Sequence, residues 1–342
     1  MLEITTVGLD LAKNVFQAHG ADAAGRAVLR KKLRRDQVLA FFAQLPACVV
    51  AMEACGGAHF WGREIGKLGH EVQLIPPAYV KPFVKRQKSD AADAEAICEA
   101  AQRPTMRFVA VKSEETQGAA MVFRVRELLI RQRTQAINAL RGHLTEFGLV
   151  VPQGAANAAR LIALVEDPGS GLPADAIVTL RVLVGALIQL EKEIGKLDVE
   201  IVRRAKENEV ARRLMTVPGI GPLIATAIAV LAPPPETVRC ARDFAAWLGL
   251  TPRQHSTGGK QRLGATTRMG ERSLRRLLLL GANSVIIKRH VHASARPGTW
   301  LARLIARKPP LLVRVALANK MARTVWALMA RGGVYQAPAV AA

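Results

Sequence analysis

The chain has 342 residues, half of them apolar, which is enough for two or three domains that each bury a core. Its net charge of +22 is concentrated in residues 201–342, where 24 lysines and arginines face five acids and no acid follows Glu271. Mixed-sign charge serves solubility better, so this imbalance favours a polyanionic partner, DNA or RNA. No membrane partner is expected: apolar runs such as 223–232 are too short to span a bilayer, and a membrane-surface interpretation of the basic half lacks a lysine-faced amphipathic helix.

Four isolated cysteines, Cys48, Cys55, Cys98 and Cys240, form no closely spaced pair. This spacing predicts neither a zinc ribbon nor a disulfide framework. Reduced cysteines and an opening segment without a signal peptide predict a cytoplasmic protein, associated with the nucleoid if its partner is DNA.

The first hundred residues alternate between strand and helix patterns, which indicates an α/β layer. Strands are predicted at residues 4–8, 15–19, 26–33, 48–52 and 72–75. Helices are predicted from a cap at Asp36 to residue 45, from Gly57 to residue 68, and from a cap at Ser89 over residues 90–101.

After Pro104 the sequence predicts helices and no further strand. Residues 113–147 form one long helical pattern, residues 148–173 are rich in loop formers, and a second pattern covers residues 177–201. Apolar spacings of three and four predict a coiled coil or helical hairpin, or a stripe packed on a core.

The segment from residue 214 contains VPGIGPLIATAIAVL, with a tight turn at 218–222 between two apolar helical segments. A Gly-x-Gly turn lets backbone N–H groups approach a phosphate, as in a helix-hairpin-helix, so Gly219 and Gly221 are predicted nucleic-acid contacts. A plain interhelical turn is the alternative.

Acids are scarce enough to inspect singly. Asp10 and Glu53 each end a predicted strand, and Asp90 and Asp93 share one face at the start of a helix. Converging carboxylates repel unless divalent cations, Mg²⁺ or Mn²⁺, lie between them, and two such ions support phosphoryl transfer. Each acid also has a structural interpretation, as a turn residue or as compensation of a helix dipole.

The stretch RQHSTGGKQRLG, residues 253–264, has three glycines and no acid. The order of its glycines and lysine does not fit a nucleotide-binding loop, so no ATP is expected. Residues alone leave Ser256 open between a turn-forming serine and an activated nucleophile. Four nearby basic residues are predicted nucleic-acid contacts: Arg253, Lys260, Arg262 and Arg268.

Five motifs in order, GLDLAK, AMEACGGAHFW, KSDAADAEAI, TVPGIG and LGLTPRQHSTGGKQRLG, resemble the Piv-type DEDD transposases of bacterial insertion sequences, insertion-sequence family one-ten. The resemblance implies a ribonuclease-H-like, Holliday-junction-resolvase-like domain over residues 1–110, a coiled-coil segment over 111–202, and a basic helical transposase domain with a helix-hairpin-helix over 203–342. It matches the family's four acids to Asp10, Glu53, Asp90 and Asp93, and its serine to Ser256.

The resemblance also implies a mechanism. The serine attacks a DNA phosphate with Mg²⁺ assistance, forms a phosphoserine link, and strands exchange through a Holliday junction. The implied partners are donor and target double-stranded DNA, a structured noncoding guide RNA, and further copies of the chain in a tetramer assembled from dimers. Two other hypotheses are a junction nuclease that uses water and a nucleic-acid-binding scaffold without chemistry.

Overall fold

The computed structural model describes residues 3–85, 89–288 and 297–337. The chain divides into two units, Met1–Gln117 and Gly118–Ala342, and each is described by itself. Within the described ranges, no helix combines the length and the apolar character that crossing a membrane requires.

The first unit is built on a five-stranded sheet in the order β3-β2-β1-β4-β5. Its strands are β1 (Thr6–Asp10), β2 (Val15–Ala21), β3 (Ala27–Arg34), β4 (Val49–Glu53) and β5 (Glu71–Ile75). The β1–β2 and β2–β3 pairs are antiparallel, whereas β1–β4 and β4–β5 are parallel. The predicted mixed α/β layer is therefore confirmed.

Side chains of β1 alternate between the two faces of the sheet, as the two-residue period of a strand requires. Val7 and Leu9 enter one buried cluster, while Gly8 lies against a helix on the other face. By the same alternation Asp10, at the end of β1, lies on the face of Gly8. Strand β4 repeats this pattern and places Glu53 on that face as well.

Helices cover both faces of the sheet. Helices α1 (Val38–Ala43) and α2 (Ala58–Lys67) share a core with Val7 and Leu9. On the other face lie the short helix α3 (Pro77–Val80) and α4 (Asp90–Ala101), the latter with the bounds predicted from the sequence.

The prediction that Asp36 caps a helix running to residue 45 is wrong. Asp36 lies inside a 3-10 turn, Arg35–Gln37, and α1 begins after it with Gln37 at its N-cap and ends at Ala43. Arg34 and Asp36 form a surface ion pair, which keeps the Asp36 carboxylate away from the helix N-terminus.

Two long helices dominate the start of the second unit: α5 (Glu114–Glu146), which begins just before the unit boundary, and α7 (Ala174–Glu207). They pack antiparallel, since Arg126 of α5 pairs with Asp198 of α7 at 2.6 Å while Leu144, near the end of α5, shares a core with Leu180, near the start of α7. The helix α6 (Ala158–Glu166) packs on the same core, within a stretch whose composition predicted loops.

The rest of the second unit is mostly helical and has its own core. Its helices are α8 (Glu209–Leu214), α9 (Pro222–Leu231), α10 (Ala241–Trp247), α11 (Arg272–Ile287), α12 (Trp300–Arg307) and α13 (Pro310–Arg331). The prediction that no strand follows Pro104 is wrong, because β6 (Pro252–Gln254) and β7 (Leu263–Thr266) form a short antiparallel hairpin. These strands are only three and four residues long and mostly exposed, so they carry no apolar alternation.

Candidate functional site

Gly8 determines how closely α4 approaches the sheet. A Cβ atom at Gly8 would collide with the backbone carbonyl of Ala94 and would lie 2.5 Å from the backbone nitrogen of Cys98. Glycine therefore permits direct backbone packing of α4 on β1. Asp90 and Asp93 occupy the first turn of this helix, so the packing brings them to the carboxyl end of β1.

Three of the predicted acids converge at that end of the strand. Carboxylate oxygens of Asp10, Asp90 and Asp93 all lie within 4.8 Å of one another, and they form the only such group among the described residues. Asp10 and Asp93 are partly buried, whereas Asp90 is exposed. Glu53 is outside this set, although it lies near enough for its charge to affect Asp10.

The cluster is electrostatically strained without a cation. The pKa of Asp10 is raised from 3.8 to about 6, mainly by burial and then by the charges of Asp93, Asp90 and Glu53, against the opposing effect of the Leu11 backbone N–H. Burial and the charge of Asp93 also raise the pKa of Glu53. Like charges at this separation disfavour ionisation, so a bound cation would relieve the repulsion.

The donor set fits a divalent metal. It offers hard carboxylate oxygens from a strand end and a helix turn, which are the ligands that Mg²⁺ and Mn²⁺ prefer. Glu95, on the same helix as Asp90 and Asp93, forms an ion pair with Lys85 and is not part of the cluster.

Cys55 is a neighbour of the cluster that sequence reasoning missed as a site residue. Burial of its thiol, followed by the charges of Glu53 and Asp10, raises its pKa. The thiol is thus held protonated beside the carboxylates. Its position two residues after Glu53 was the available signal.

Ser256 lies in the turn of the β6–β7 hairpin. Its Oγ accepts a hydrogen bond from the backbone N–H of Arg262 at 3.2 Å, and the side chain is exposed. Thr257 and Lys260 close the tip through mutual backbone bonds of 3.3 and 3.0 Å. Gly258 and Gly259 between them have positive φ angles of 54° and 75°, which explains the Gly-Gly pair.

The hairpin presents a basic and acid-free surface. Arg253, Lys260 and Arg262 are all exposed on it, and Arg268 follows β7 with an exposed side chain and a positive φ of 55°. Such residues are suited to phosphate contact. Ser256 and these basic residues belong to the second unit, and the carboxylates belong to the first.

The two glycines of the predicted phosphate-binding turn differ in their surroundings. Gly219 has a positive φ of 84° and packs against Gly281 of α11, where a Cβ would lie 2.6 Å from the Gly281 carbonyl oxygen. Gly221, before α9, is exposed and faces open space. Internal packing thus explains the glycine at 219, while nucleic-acid contact at either position stays a prediction.

Comparison with known proteins finds transposase family models that match an N-terminal and a C-terminal part of the sequence. A family model described as "Transposase IS116/IS110/IS902 family" matches residues 211–296, and a DEDD transposase model of the IS110 group matches residues 7–148. The chain is 48% identical over 337 residues to "Probable family 20 transposase" of Pseudomonas aeruginosa, covering 98% of this chain and 99% of that protein. It is 40% identical over 335 residues to "Transposase for insertion sequence element IS1328" of Yersinia enterocolitica, covering 98% and 99%. The chain therefore belongs to the IS110 family of insertion-sequence transposases, enzymes that cleave and rejoin DNA.

Proposed function

We propose that this transposase cuts and rejoins DNA with the help of divalent cations held by Asp10, Asp90 and Asp93, with Glu53 as a fourth ligand. The convergence of three carboxylates within 4.8 Å carries the proposal. Asp10 and Glu53 follow adjacent parallel strands on the same sheet face, which supports the inclusion of Glu53. Mg²⁺ bound there would neutralise charge on the phosphate and stabilise the attacking and leaving oxygens.

Cation binding by these carboxylates depends on their ionisation. Because the pKa of Asp10 is raised to about 6, cation binding should depend on pH near 6. The packing of α4 on Gly8 fixes the separation of Asp93 from Asp10 before any cation binds.

Ser256 is the proposed nucleophile. Its Oγ forms a bond to a DNA phosphorus while the bond from that phosphorus to one deoxyribose oxygen breaks, and the proton lost by the serine is balanced by the one gained by the leaving hydroxyl. Exposure on a hairpin tip, with a backbone hydrogen bond that orients Oγ, supports this role. Lys260 and Arg262 stabilise the phosphate charge.

The finer architecture is part of the proposal. A three-stranded antiparallel ribbon continued by two parallel strands, with acids at strand ends, supports a ribonuclease-H-like fold for the first unit. The turn between α8 and α9, with Gly221 exposed, supports a helix-hairpin-helix that contacts DNA backbone.

The proposed partners are DNA, a guide RNA and further copies of the chain. The net charge of +19 over residues 201–342 supports binding of both nucleic acids, and the resemblance supplies the guide role. Exposed apolar side chains along α7, among them Val178, Val182 and Val199, support self-association into the tetramer in which serine and carboxylates from different copies meet.

Strand transfer in vitro tests the metal site. We expect Asp93→Asn to abolish Mg²⁺-dependent transfer on a plasmid that carries the element's ends, supplied with its RNA, because one metal ligand is lost. Glu99→Gln, on the same helix and outside the cluster, should retain transfer. Unchanged transfer by Asp93→Asn would refute the assignment.

A further inference from the structure

A second feature of the first unit is a surface cavity of about 630 Å³. The cavity is shallow and widely open to solvent, so an extended strand could enter it from the side. Its lining combines aromatic, apolar and charged groups: Asn14, Val15, Arg34, Arg35, Asp36, Phe60 and Trp61. None of these residues has a role in the cluster of carboxylates.

The aromatic wall of the cavity is rigid and partly uncovered. Phe60 is 41% exposed and packs edge-on against the buried Trp61, with 5.3 Å between ring centroids. Trp61 is in turn held edge-on by Phe16 at 5.1 Å. An exposed ring fixed by buried neighbours is a suitable platform for stacking a planar group.

Positive charge lies beside these aromatic rings. The Arg35 guanidinium lies 5.1 Å from the Trp61 ring centroid in a cation–π contact, and it donates a hydrogen bond to the Lys13 carbonyl. Arg34 is paired with Asp36 at 3.3 Å, but both side chains are 69% exposed, so the pair is weak and a phosphate can compete for Arg34.

The cavity lies at the same edge of the sheet as the carboxylates. Strand β1 ends at Asp10, the chain turns, and β2 starts at Val15, which pairs with Arg34 at the end of β3. Phe60 lies in the first turn of α2, which follows the end of β4 at Glu53. The cavity and the carboxylates therefore share one end of the sheet, although α2 and α4 pack on opposite faces of it.

We propose that this cavity binds one unpaired nucleotide of a single-stranded nucleic acid, with the base stacked on Phe60 and its phosphate held by Arg34 and Arg35. Stacking on an aromatic side chain is sequence-tolerant and contributes roughly 1–3 kcal/mol per base. The direction of the strand toward the carboxylates rests on the proposed function. Binding of the nucleotide does not rest on the proposed function, because the cavity itself provides the aromatic ring and the arginines that would hold it.

Photo-crosslinking with the full chain tests the proposal. Short single-stranded DNA and RNA oligonucleotides with one 5-iodouracil are irradiated with the protein in EDTA, where no cutting occurs, and crosslinked peptides are mapped by mass spectrometry. We expect a crosslink at Phe60 that disappears in Phe60→Ala and persists in Phe60→Tyr, which retains the ring. A DNA-only or an RNA-only crosslink supports the proposal and identifies the strand.

Phe108 provides a matched control, since it is also 41% exposed and belongs to the same unit. Phe108→Ala should keep the Phe60 crosslink. Arg34→Ala should weaken the crosslink at Phe60. The salt dependence of binding should then correspond to the release of about one counterion fewer. No crosslink at Phe60 in wild type would overturn the proposal.

One further outcome would indicate that the cavity contacts another protein chain and not a nucleic acid. If Phe60→Ala changed the sedimentation of the protein while leaving the crosslinking yield intact, the proposal would also be overturned. Failure of strand transfer in Asp93→Asn is a separate result, because crosslinking in EDTA does not depend on the metal site.

Discussion

Gly8 of β1 and Ala94 of α4 are in direct backbone contact, with no room for a Cβ atom between them. This contact joins the strand that ends at Asp10 to the helix that begins with Asp90 and Asp93. The site therefore depends on a residue that has no functional group.

Gly8→Ala should destabilise the first unit and loosen the carboxylate cluster. The added methyl overpacks the interface between strand and helix, which costs about 1–3 kcal/mol. The melting temperature and the affinity for Mn²⁺ should both decrease. Gly66→Ala, in α2 with open space around its Cα, is the matched control and should stabilise by roughly 0.5–1 kcal/mol. Equal behaviour of the two variants would contradict the packing argument.

The stability of the metal-free protein should fall as the pH rises from about 4 to 6. The folded-state pKa of Asp10 is about 6, above the ordinary value of 3.8, so the folded state binds the proton more tightly and loses this advantage as the carboxyl ionises. Asp10→Asn removes this pH dependence. It should raise the melting temperature at pH 8 by roughly 2–4 °C, the shift that about 1 kcal/mol produces.

Saturating Mg²⁺ should stabilise the wild-type protein at pH 8 and have a weaker effect at pH 5, because ligand carboxylates must be ionised. Differential scanning fluorimetry across this range measures both effects. Glu99→Gln serves as the control with an acid of the same helix. Without Mg²⁺, a melting temperature of Asp10→Asn at pH 8 that is lower than that of the wild type would contradict the predicted repulsion.

Ser256→Ala should abolish the covalent link between protein and DNA. Loss of a nucleophile typically lowers the rate by more than about 10³-fold. Ser256 is exposed, so folding and DNA binding should be retained. Denaturing gels with labelled DNA detect the link, and Thr257→Ala, the next hydroxyl in the same turn, should preserve it. A persistent link in Ser256→Ala would exclude the serine, and free ends without any link would favour the water-dependent nuclease.

Val182→Glu should shift the protein toward smaller assemblies. The Val182 side chain is 71% exposed on α7, one turn from Val178, which is 66% exposed, so the two form an apolar surface that another chain could cover. Sedimentation velocity compares it with Lys192→Glu, a charge change at an exposed polar position of the same helix. The same distribution of species in both variants would argue against self-association through this face.

Local patterns predicted several elements of the site correctly. The alternation of strands and helices, the bounds of α4, and the positions of Asp10 and Glu53 at strand ends were all accessible, because each depends on neighbouring residues. The convergence of Asp10 with Asp93 was a hypothesis from the sequence. In the structure it depends on the packing of α4 against Gly8.

Other features depend on distant partners and left no local signal. The role of Gly8 appears only when α4 is packed on β1. The hairpin around Ser256 consists of short, polar strands, so its pattern is that of a loop. The cavity joins Arg34 to Phe60, which lie on different elements far apart in sequence.

The most direct test of the account is Mn²⁺ binding measured by isothermal titration calorimetry at pH 8. We expect wild type and Glu99→Gln to bind with equal affinity. The double variant Asp10→Asn with Asp93→Asn should lose at least roughly tenfold, or about 1.4 kcal/mol. Equal Mn²⁺ affinity in the double variant and wild type would contradict a metal centre at the end of β1.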